Sequence, residues 1–281
     1  MLTVNSLEKV FPLVIVDCVF FQLSQTTGIA RVWRSLLAEW SKTGFAKHII
    51  VLDRDGTAPK FPGIRYRDVH RHASICFHDA MPLQGDGQAG LDAENLQAIC
   101  DEEAADLFIS TYYTTPISTP SIFMGYDMVP EILKMNLSTP VWREKRHSIL
   151  YASHYITISA STADDLASFF PYIEPEQVTV AHCGLESAFT PASSEEIDHF
   201  KAKFSIDKPY VLLVGHRLGT GGYKNSNLLF EALHQTDFKQ ELAVFCVGGQ
   251  SELEKELQDL ASGITTYVAH LSDMELRTAY S

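Results

Sequence analysis

The sequence has no apolar run of the length that crosses a membrane. The longest candidate, residues 11–21, contains Asp17, whereas a spanning helix needs about 20 consecutive apolar residues. An excess of basic residues is also missing, since 22 Lys and Arg stand against 35 Asp and Glu, a formal net charge of −13. Nucleic-acid binding requires a basic face that neutralises phosphates. The composition therefore predicts no nucleic-acid partner, and it opposes a general attraction to anionic lipid outside a local basic patch.

A cysteine framework is missing as well. The five cysteines are an odd number, they are widely spaced, and none of them forms a Cys-x-x-Cys pair. This pattern excludes a disulfide scaffold or a zinc ribbon and predicts a reduced, cytoplasmic setting. With 46% hydrophobic and 20% charged residues over 281 positions, the composition is that of a globular protein with about two domains.

Short apolar runs alternate with amphipathic stretches along the chain. The runs are nearly continuous in apolar character, which is typical of strands covered on both faces. The clearest amphipathic stretch extends from Ile29 to Trp40 with apolar residues at helical spacing. This alternation predicts an α/β fold with parallel sheets. The predicted strands span residues 12–17, 48–53, 107–111, 121–127, 155–159, 178–184, 210–215, 242–249 and 265–271.

A second series of strands and helices begins near residue 191. Residues 191–200 start with proline and continue with Ser-Ser-Glu-Glu, which is typical of a linker and a capped helix start. We therefore predict two domains, residues 1–190 and 191–281. The second has about three predicted strands, whereas a doubly wound sheet usually has about five or six. We expect a truncated product or fragment. The alternatives are a genuinely short protein, or a homo-oligomer in which a partner chain covers the apolar edge of the sheet.

Further helix starts are predicted from capping residues. Ser161 with Asp164 is one such pair, and Ser272 with Glu275 forms a capping box. Helices are also predicted from Asn225 and Ser251.

One candidate site lies at the start of the first amphipathic helix. Thr26-Thr27-Gly28-Ile29 connects an apolar strand to this helix, where a glycine allows close backbone approach and the helix N-terminus offers free N–H groups to an anion. Arg31 in the first turn adds positive charge. A plain turn glycine with a solvent-exposed arginine is an equally weighted alternative.

A second candidate site follows the strand YVLLVG. The segment Gly215-His216-Arg217 is followed by a glycine-rich stretch, residues 219–222, and by Lys224 at a helix start. Two cations around a glycine-rich loop suit a diphosphate. Tyr223 separates the last glycine from Lys224, so the spacing is not that of a P-loop. A mobile polar loop is the alternative for the glycines.

A third candidate, Tyr126-Asp127, ends the strand SIFMG. Polar residues at the carboxyl end of a strand are placed to face a cleft, although a helix cap by Asp127 is an alternative. The formal G-x-G-x-x-G match from Gly85 to Gly90 is interpreted as a surface loop because no strand precedes it. No G-x-S-x-G or H-E-x-x-H motif supports a hydrolase.

Potential metal ligands occur in two short segments, Asp68–His72 and Cys76–Asp79. Their spacings match no common zinc pattern. We therefore predict no metal site.

Together, these segments resemble the retaining GT-B glycosyltransferases of family 4, also called group 1. The resemblance extends over most of the chain, and it implies an α/β fold with two Rossmann-like parallel-sheet domains facing across a cleft, the C-terminal one incomplete here. It is carried by VDCVFFQLSQTTGIARVWRSLL, GYDMVPE, YITISASTADDL, VTVAHCGLESAFTP, YVLLVGHRLGTGGYKNSNLLFEAL and LSDMELRTAYS.

The resemblance also implies donor-binding residues. Gly28 and its neighbours would approach the donor diphosphate from the first domain. Arg217 and Lys224 match the basic pair that holds the same diphosphate. The backbone of Val268-Ala269-His270 would lie near the nucleobase.

For the reacting groups, the resemblance implies Asp127 and Tyr126 in the active site, although many family members have histidine at the position of Tyr126. The family's two donor-contacting glutamates would lie beyond Ser281, so we expect this chain to lack them and to be inactive on that account.

The implied function is that of a hexosyltransferase in polysaccharide biosynthesis. It would move a sugar with retention from a nucleotide-diphosphate sugar, such as a UDP- or GDP-sugar, to a glycan or lipid-linked acceptor, with no cofactor. The implied location is cytoplasmic or peripheral to the inner membrane face. A non-catalytic module that binds nucleotide sugars or glycans is one alternative, and a GT-B nucleotide-sugar epimerase is another.

Overall fold

The computed structural model describes residues 11–73, 75, 87–185, 189–217 and 223–281. The chain divides into two compact units, Met1–Gly184 and Leu185–Ser281. Among the described residues, none of the helices combines the length and apolar character needed to cross a membrane.

The first unit contains one seven-stranded sheet. All its strand pairs are parallel, in the order β3-β2-β1-β4-β5-β6-β7. The strands are β1 (Val14–Asp17), β2 (Ile49–Arg54), β3 (Arg65–Val69), β4 (Leu107–Ser110), β5 (Ser121–Gly125), β6 (His154–Thr157) and β7 (Val178–Val180). The helices are α1 (Gly28–Ser41), α2 (Gly87–Glu103), α3 (Val129–Ile132), α4 (Pro140–Tyr151) and α5 (Ala160–Phe169).

The core of this unit is centred on β1 and β2, in which every residue is buried. Strands buried on both faces need apolar side chains in both directions, which explains their nearly continuous apolar sequences. Helix α1 buries Ala30, Trp33 and Leu37, which recur at the spacing of one helix face. Because all strand pairs are parallel, the carboxyl ends of the strands lie at the same edge of the sheet.

The second unit contains a parallel three-stranded sheet in the order β10-β9-β8. Every residue of the central strand β9 is buried, while those of β10 are partly exposed. The strands are β8 (Tyr210–Val214), β9 (Ala243–Val247) and β10 (Thr265–Ala269). The helices are α6 (Ser194–Phe204), α7 (Ser226–His234), α8 (Lys255–Gln258) and α9 (Asp273–Ala279).

The predicted α/β class is confirmed, and each of the nine predicted strands is present. Most have shorter ends, β2 and β6 extend one residue beyond the predicted range at one end, and β7 is reduced to Val178–Val180. The capping box of Ser272 with Glu275 is also confirmed, because the Ser272 hydroxyl accepts from the Glu275 N–H and Glu275 in turn accepts from the Ser272 N–H.

Four local predictions are corrected by the structure. Strand β3 was not predicted, because its sequence RYRDV is mostly charged. The loop predicted for residues 85–90 is wrong from Gly87 onward, where α2 begins. Helix α5 is capped by Ser159, whose hydroxyl accepts from the Thr162 N–H, and not by Ser161. The helix predicted from Ser251 is reduced to the short α8.

Candidate functional site

The start of α1 presents backbone N–H groups that have no capping partner among the residues that the structure describes. Thr27 is the N-cap in extended conformation, and its side chain accepts no capping hydrogen bond. Gly28 is exposed, and an added Cβ there would meet nothing within 4 Å. Ile29 and Arg31 are half-buried beside it. Since the packing of the unit does not require glycine at position 28, the open space above it suits the close approach of an anion.

Tyr126 is buried at the end of β5, with both of its hydrogen bonds made inside the unit. Its hydroxyl accepts from Trp33 Nε1 of α1 and donates to the Thr111 carbonyl at 3.0 Å. Burial raises the pKa of the phenol, which keeps it protonated. These contacts favour a packing role that joins α1 to the sheet, and they do not favour the catalytic role predicted for Tyr126.

Asp127 is exposed directly after this strand. Its Oδ1 accepts from the N–H of Val129, the first residue of α3, at 3.0 Å, although the N-cap of this short helix is Met128 and not Asp127. The Asp127 carbonyl accepts from Lys145 Nζ at 3.0 Å, and the same ammonium donates to Glu131 Oε2 at 2.7 Å. Lys145 is 1% exposed. The backbone of Asp127 is therefore fixed while its side chain stays at the surface.

A buried ionic network lies at the carboxyl ends of β1 and β2. Arg54 donates to both carboxylate oxygens of Asp17, at 2.9 and 2.6 Å, and to both oxygens of Asp92, at 2.9 and 3.1 Å. His72 lies 3.4 Å from Asp92, and burial lowers its pKa, which favours the neutral imidazole. The sequence analysis missed this network, although Asp17 and Arg54 each end a buried strand.

Glu144 on α4 is a buried carboxyl group near this network. It is 6% exposed and has neither a hydrogen bond nor an ion pair among the described residues. Burial raises its pKa to about 7, and the charge of Asp92 adds to the shift while Arg143 and Arg54 oppose it. No sequence signal distinguishes Glu144 from the other acidic residues.

In the second unit, Gly215 and Lys224 meet at the end of β8. Gly215 has φ +117° and donates from its N–H to the Val247 carbonyl at 2.8 Å. A Cβ at Gly215 would lie 3.2 Å from Lys224 Nζ, so the ammonium lies directly over the glycine. Lys224 is exposed and forms no salt bridge within the described residues. His216, the next residue after Gly215, is also exposed.

Arg217 differs from Lys224 because it is 1% exposed. Its guanidinium donates to Glu254 Oε2 at 2.5 Å and to the carbonyls of Gly248, Gln250 and Glu252 at 2.6 to 3.1 Å. The Arg217 side chain is thus bonded to the segment that follows β9, residues 248–254.

Two glycines after β9, which the sequence analysis did not single out, belong to the same edge. Gly248 and Gly249 have φ +84° and +72°, and their position directly after a buried strand was the available signal. The Gly248 N–H donates to the Ala269 carbonyl at 3.1 Å. The predicted nucleobase segment Val268-Ala269-His270 therefore begins in β10 beside these glycines, with His270 exposed.

The predicted site residues thus form one group in each unit. Gly28, Ile29 and Arg31 start α1, and Trp33 of the same helix bonds Tyr126, the neighbour of Asp127. The second unit brings together Gly215, His216, Arg217, Lys224 and the end of β10.

The predicted absence of a metal site stays a prediction. Among the described residues, no three His, Cys, Asp or Glu side chains are grouped to hold a metal ion. The segment Cys76–Asp79 lies outside the described residues.

Known proteins resemble this chain in fold and not in sequence. No family model matches the sequence, and no curated protein matches it. Solved structures do match. Anabaena HepE in complex with UDP and glucose has a TM-score of 0.63 and 14% identity, covering 96% of this chain and 72% of that one.

Two further structures are similar to the same extent. WaaG, a glycosyltransferase involved in lipopolysaccharide biosynthesis, has a TM-score of 0.61 and 15% identity over 93% of this chain and 72% of its own. Sucrose-phosphate synthase from Thermosynechococcus elongatus has a TM-score of 0.64 and 14% identity over 95% and 72%. These likenesses confirm the predicted GT-B fold class.

Proposed function

We propose that this chain is a GT-B glycosyltransferase that binds a nucleotide-diphosphate sugar at the carboxyl edge of its second sheet. The observation that carries the proposal is the exposed Lys224 ammonium over Gly215, beside the paired glycines after β9. Open α/β sheets bind ligands at the carboxyl ends of their strands. The fold neighbour HepE was solved with UDP and with UDP-glucose, which supports a ligand of this class.

The chemistry of sugar transfer fits a fixed cation at this place. The bond between the anomeric carbon and the diphosphate oxygen breaks, a bond from that carbon to the acceptor oxygen forms, and the proton of the acceptor hydroxyl passes to the leaving diphosphate or to water. Negative charge grows on the leaving diphosphate, and preorganised donors stabilise it in a water-poor site. Lys224 supplies the positive charge that stabilises this leaving group.

The remaining roles follow the family resemblance. Gly28, Ile29 and Arg31 would approach the same diphosphate, Val268-Ala269-His270 would contact the nucleobase, and Asp127 would face the acceptor. Retention and a glycan or lipid-linked acceptor, used in the cytoplasm or at the inner membrane face, belong to this proposal. The fold likeness to WaaG, which takes part in lipopolysaccharide biosynthesis, supports the acceptor class.

Turnover of a panel of UDP- and GDP-sugars, with glycan and lipid-linked acceptors, tests the proposal in an intact enzyme that also carries the two donor-contacting glutamates. We expect Lys224→Met to lower kcat/KM for the donor by roughly ten-fold or more, because a charge-assisted contact to the leaving group is lost. Lys201→Met, an exposed lysine on α6, is the matched control and should leave the rate unchanged. Equal rates in both variants and the wild-type protein would contradict the assignment.

A further inference from the structure

The two cationic side chains that follow β8, Arg217 and Lys224, differ in solvent exposure. Lys224 is exposed and lies over Gly215, whereas the Arg217 side chain is almost completely buried. A guanidinium has five N–H donors, and four donor contacts of Arg217 are already made inside the unit. Little of this group is left for a ligand unless the internal contacts break.

Breaking these contacts would leave a second charge buried. Glu254 is 2% exposed, and its carboxylate accepts from Arg217 Nε through Oε2 and, at 3.4 Å, from the Gln250 N–H through Oε1. Burial on its own would raise the pKa of Glu254, but the hydrogen bond and the charge of Arg217, together with backbone N–H donors, lower the pKa below its ordinary value. Removing the partner of a buried charge is strongly destabilising. Arg217 is therefore retained by Glu254.

The segment around the guanidinium is closely wrapped. A Cβ at Gly249 would lie 3.0 Å from Glu254 Oε1 and 3.1 Å from Arg217 Cζ, closer than side-chain atoms normally pack. With three carbonyls of residues 248–252 also bonded to Arg217, the path of this backbone is set by the arginine. The same backbone carries Gly248, whose N–H bonds the end of β10.

We infer that the two cations have separate tasks: Arg217 and Glu254 form an internal clasp that shapes residues 248–254, and Lys224 is the cation that contacts the diphosphate. Glu254 is thus a positioning residue that acts through Arg217 on the backbone beside the ligand. The part of the inference that concerns Lys224 rests on the proposed function, whereas the clasp does not.

Four single variants of the full chain test the inference: Lys224→Met, Arg217→Lys, Glu254→Gln, and Glu256→Gln as a control that removes an exposed carboxylate on α8. Thermal melting measures the Tm, which reports on the clasp. Calorimetric titration with UDP and GDP measures the Kd of the site, well below the melting temperature and at about 50 and 200 mM salt. The double variant Arg217→Lys with Glu254→Gln completes a mutant cycle.

The inference predicts different signatures for the two cations. Lys224→Met should raise the Kd for the nucleotide roughly ten-fold or more, weaken its salt dependence and leave Tm unchanged. Arg217→Lys and Glu254→Gln should each lower Tm by about 5 °C or more, and the double variant should melt no lower than the worse single one. Folded Glu254→Gln should also bind the nucleotide more weakly, whereas Glu256→Gln should match the wild-type protein.

Three results would overturn the inference. Arg217→Lys with an unchanged Tm and the same loss of affinity and salt dependence as Lys224→Met would make Arg217 a direct ligand. If the two Tm losses were additive in the double variant, Arg217 and Glu254 would not be energetically coupled, and they would not form a clasp. If folded Glu254→Gln bound the nucleotide with the same Kd as the wild-type protein, Glu254 would not be a positioning residue. If the wild-type protein binds neither nucleotide, the proposed function and the role of Lys224 both fail, and the melting cycle still decides for or against the clasp.

Discussion

Glu144 shows how one buried side chain ties the stability of the first unit to pH. Its pKa of about 7 in the folded protein lies above the ordinary value of 4.5. Between these two values the folded chain binds more protons than the unfolded chain, so the free energy of unfolding falls as pH rises. The stabilisation is complete below about pH 4.5 and is lost as pH rises through about 7, by up to roughly 3 kcal/mol.

Glu144→Gln removes this titration while it keeps the shape of the side chain. We expect the variant to gain stability relative to the wild-type protein between about pH 5 and pH 8, measured as the difference in Tm at each pH. Glu94→Gln, at an exposed position of α2, should show no such trend. A constant difference in Tm between Glu144→Gln and wild type across this range would contradict the raised pKa.

Tyr126 provides a second test at the residue scale. Tyr126→Phe keeps the ring but leaves Trp33 Nε1 and the Thr111 carbonyl without their partner. Unpaired buried groups of this kind cost about 1–3 kcal/mol, which chemical denaturation will resolve as a lower free energy of unfolding. Tyr151→Phe, at an exposed tyrosine, is the control. Equal stability of the two variants would show that the phenol is not part of the packing.

Single residues were predicted from the sequence where the neighbouring elements identify them. Lys224 and Gly215 were predicted as site residues because they follow a strand and precede a helix, and the structure places them next to each other. The Arg54 network was not found, because Asp17 and Asp92 come from separate elements and meet Arg54 only after the sheet has formed.

At the scale of elements, strand prediction succeeded where burial dictates the sequence. Strand β9 is buried along its whole length and is apolar in every residue. Strand β3 lies at the edge of its sheet with Arg65 and Asp68 exposed, so apolar character gives no signal there. Edge strands tolerate charge, and it protects them against unwanted pairing.

The N-terminal capping box of α9 stabilises the start of this helix. Ser272 and Glu275 bond each other's backbone N–H groups, and Glu275 also binds Lys203 of α6 at 2.5 Å. The hydrogen bond from Lys203, with those from Ser272, lowers the pKa of Glu275 to about 2. The stabilisation is present above the ordinary pKa of 4.5 and is lost as pH falls toward 2.

Ser272→Ala removes one half of this capping box and should cost about 1 kcal/mol, measured by urea denaturation at neutral pH. Ser262→Ala, at an exposed serine outside the helices, should cost less. A Ser272→Ala variant as stable as wild type would show that α9 is held by packing alone.

At the scale of the whole molecule, the chain combines a strongly acidic composition with cationic groups placed at sheet edges. The net charge of −13 repels a diphosphate at long range, so the proposed binding requires local, directed contacts. The order of strands and helices made the α/β class predictable. It did not reveal that the two adjacent cations of the second unit differ in burial, because this depends on how the segment after β9 folds back over Arg217.

We propose that the second unit binds its ligand through the diphosphate. Calorimetric titration of the full chain with UDP and with uridine, repeated with GDP and guanosine, tests it most directly. The account predicts that one of the diphosphates binds at least roughly ten-fold more tightly than its nucleoside, and that Lys224→Met removes most of this difference. Equal affinity for nucleoside and diphosphate, or a difference that survives in Lys224→Met, would contradict it.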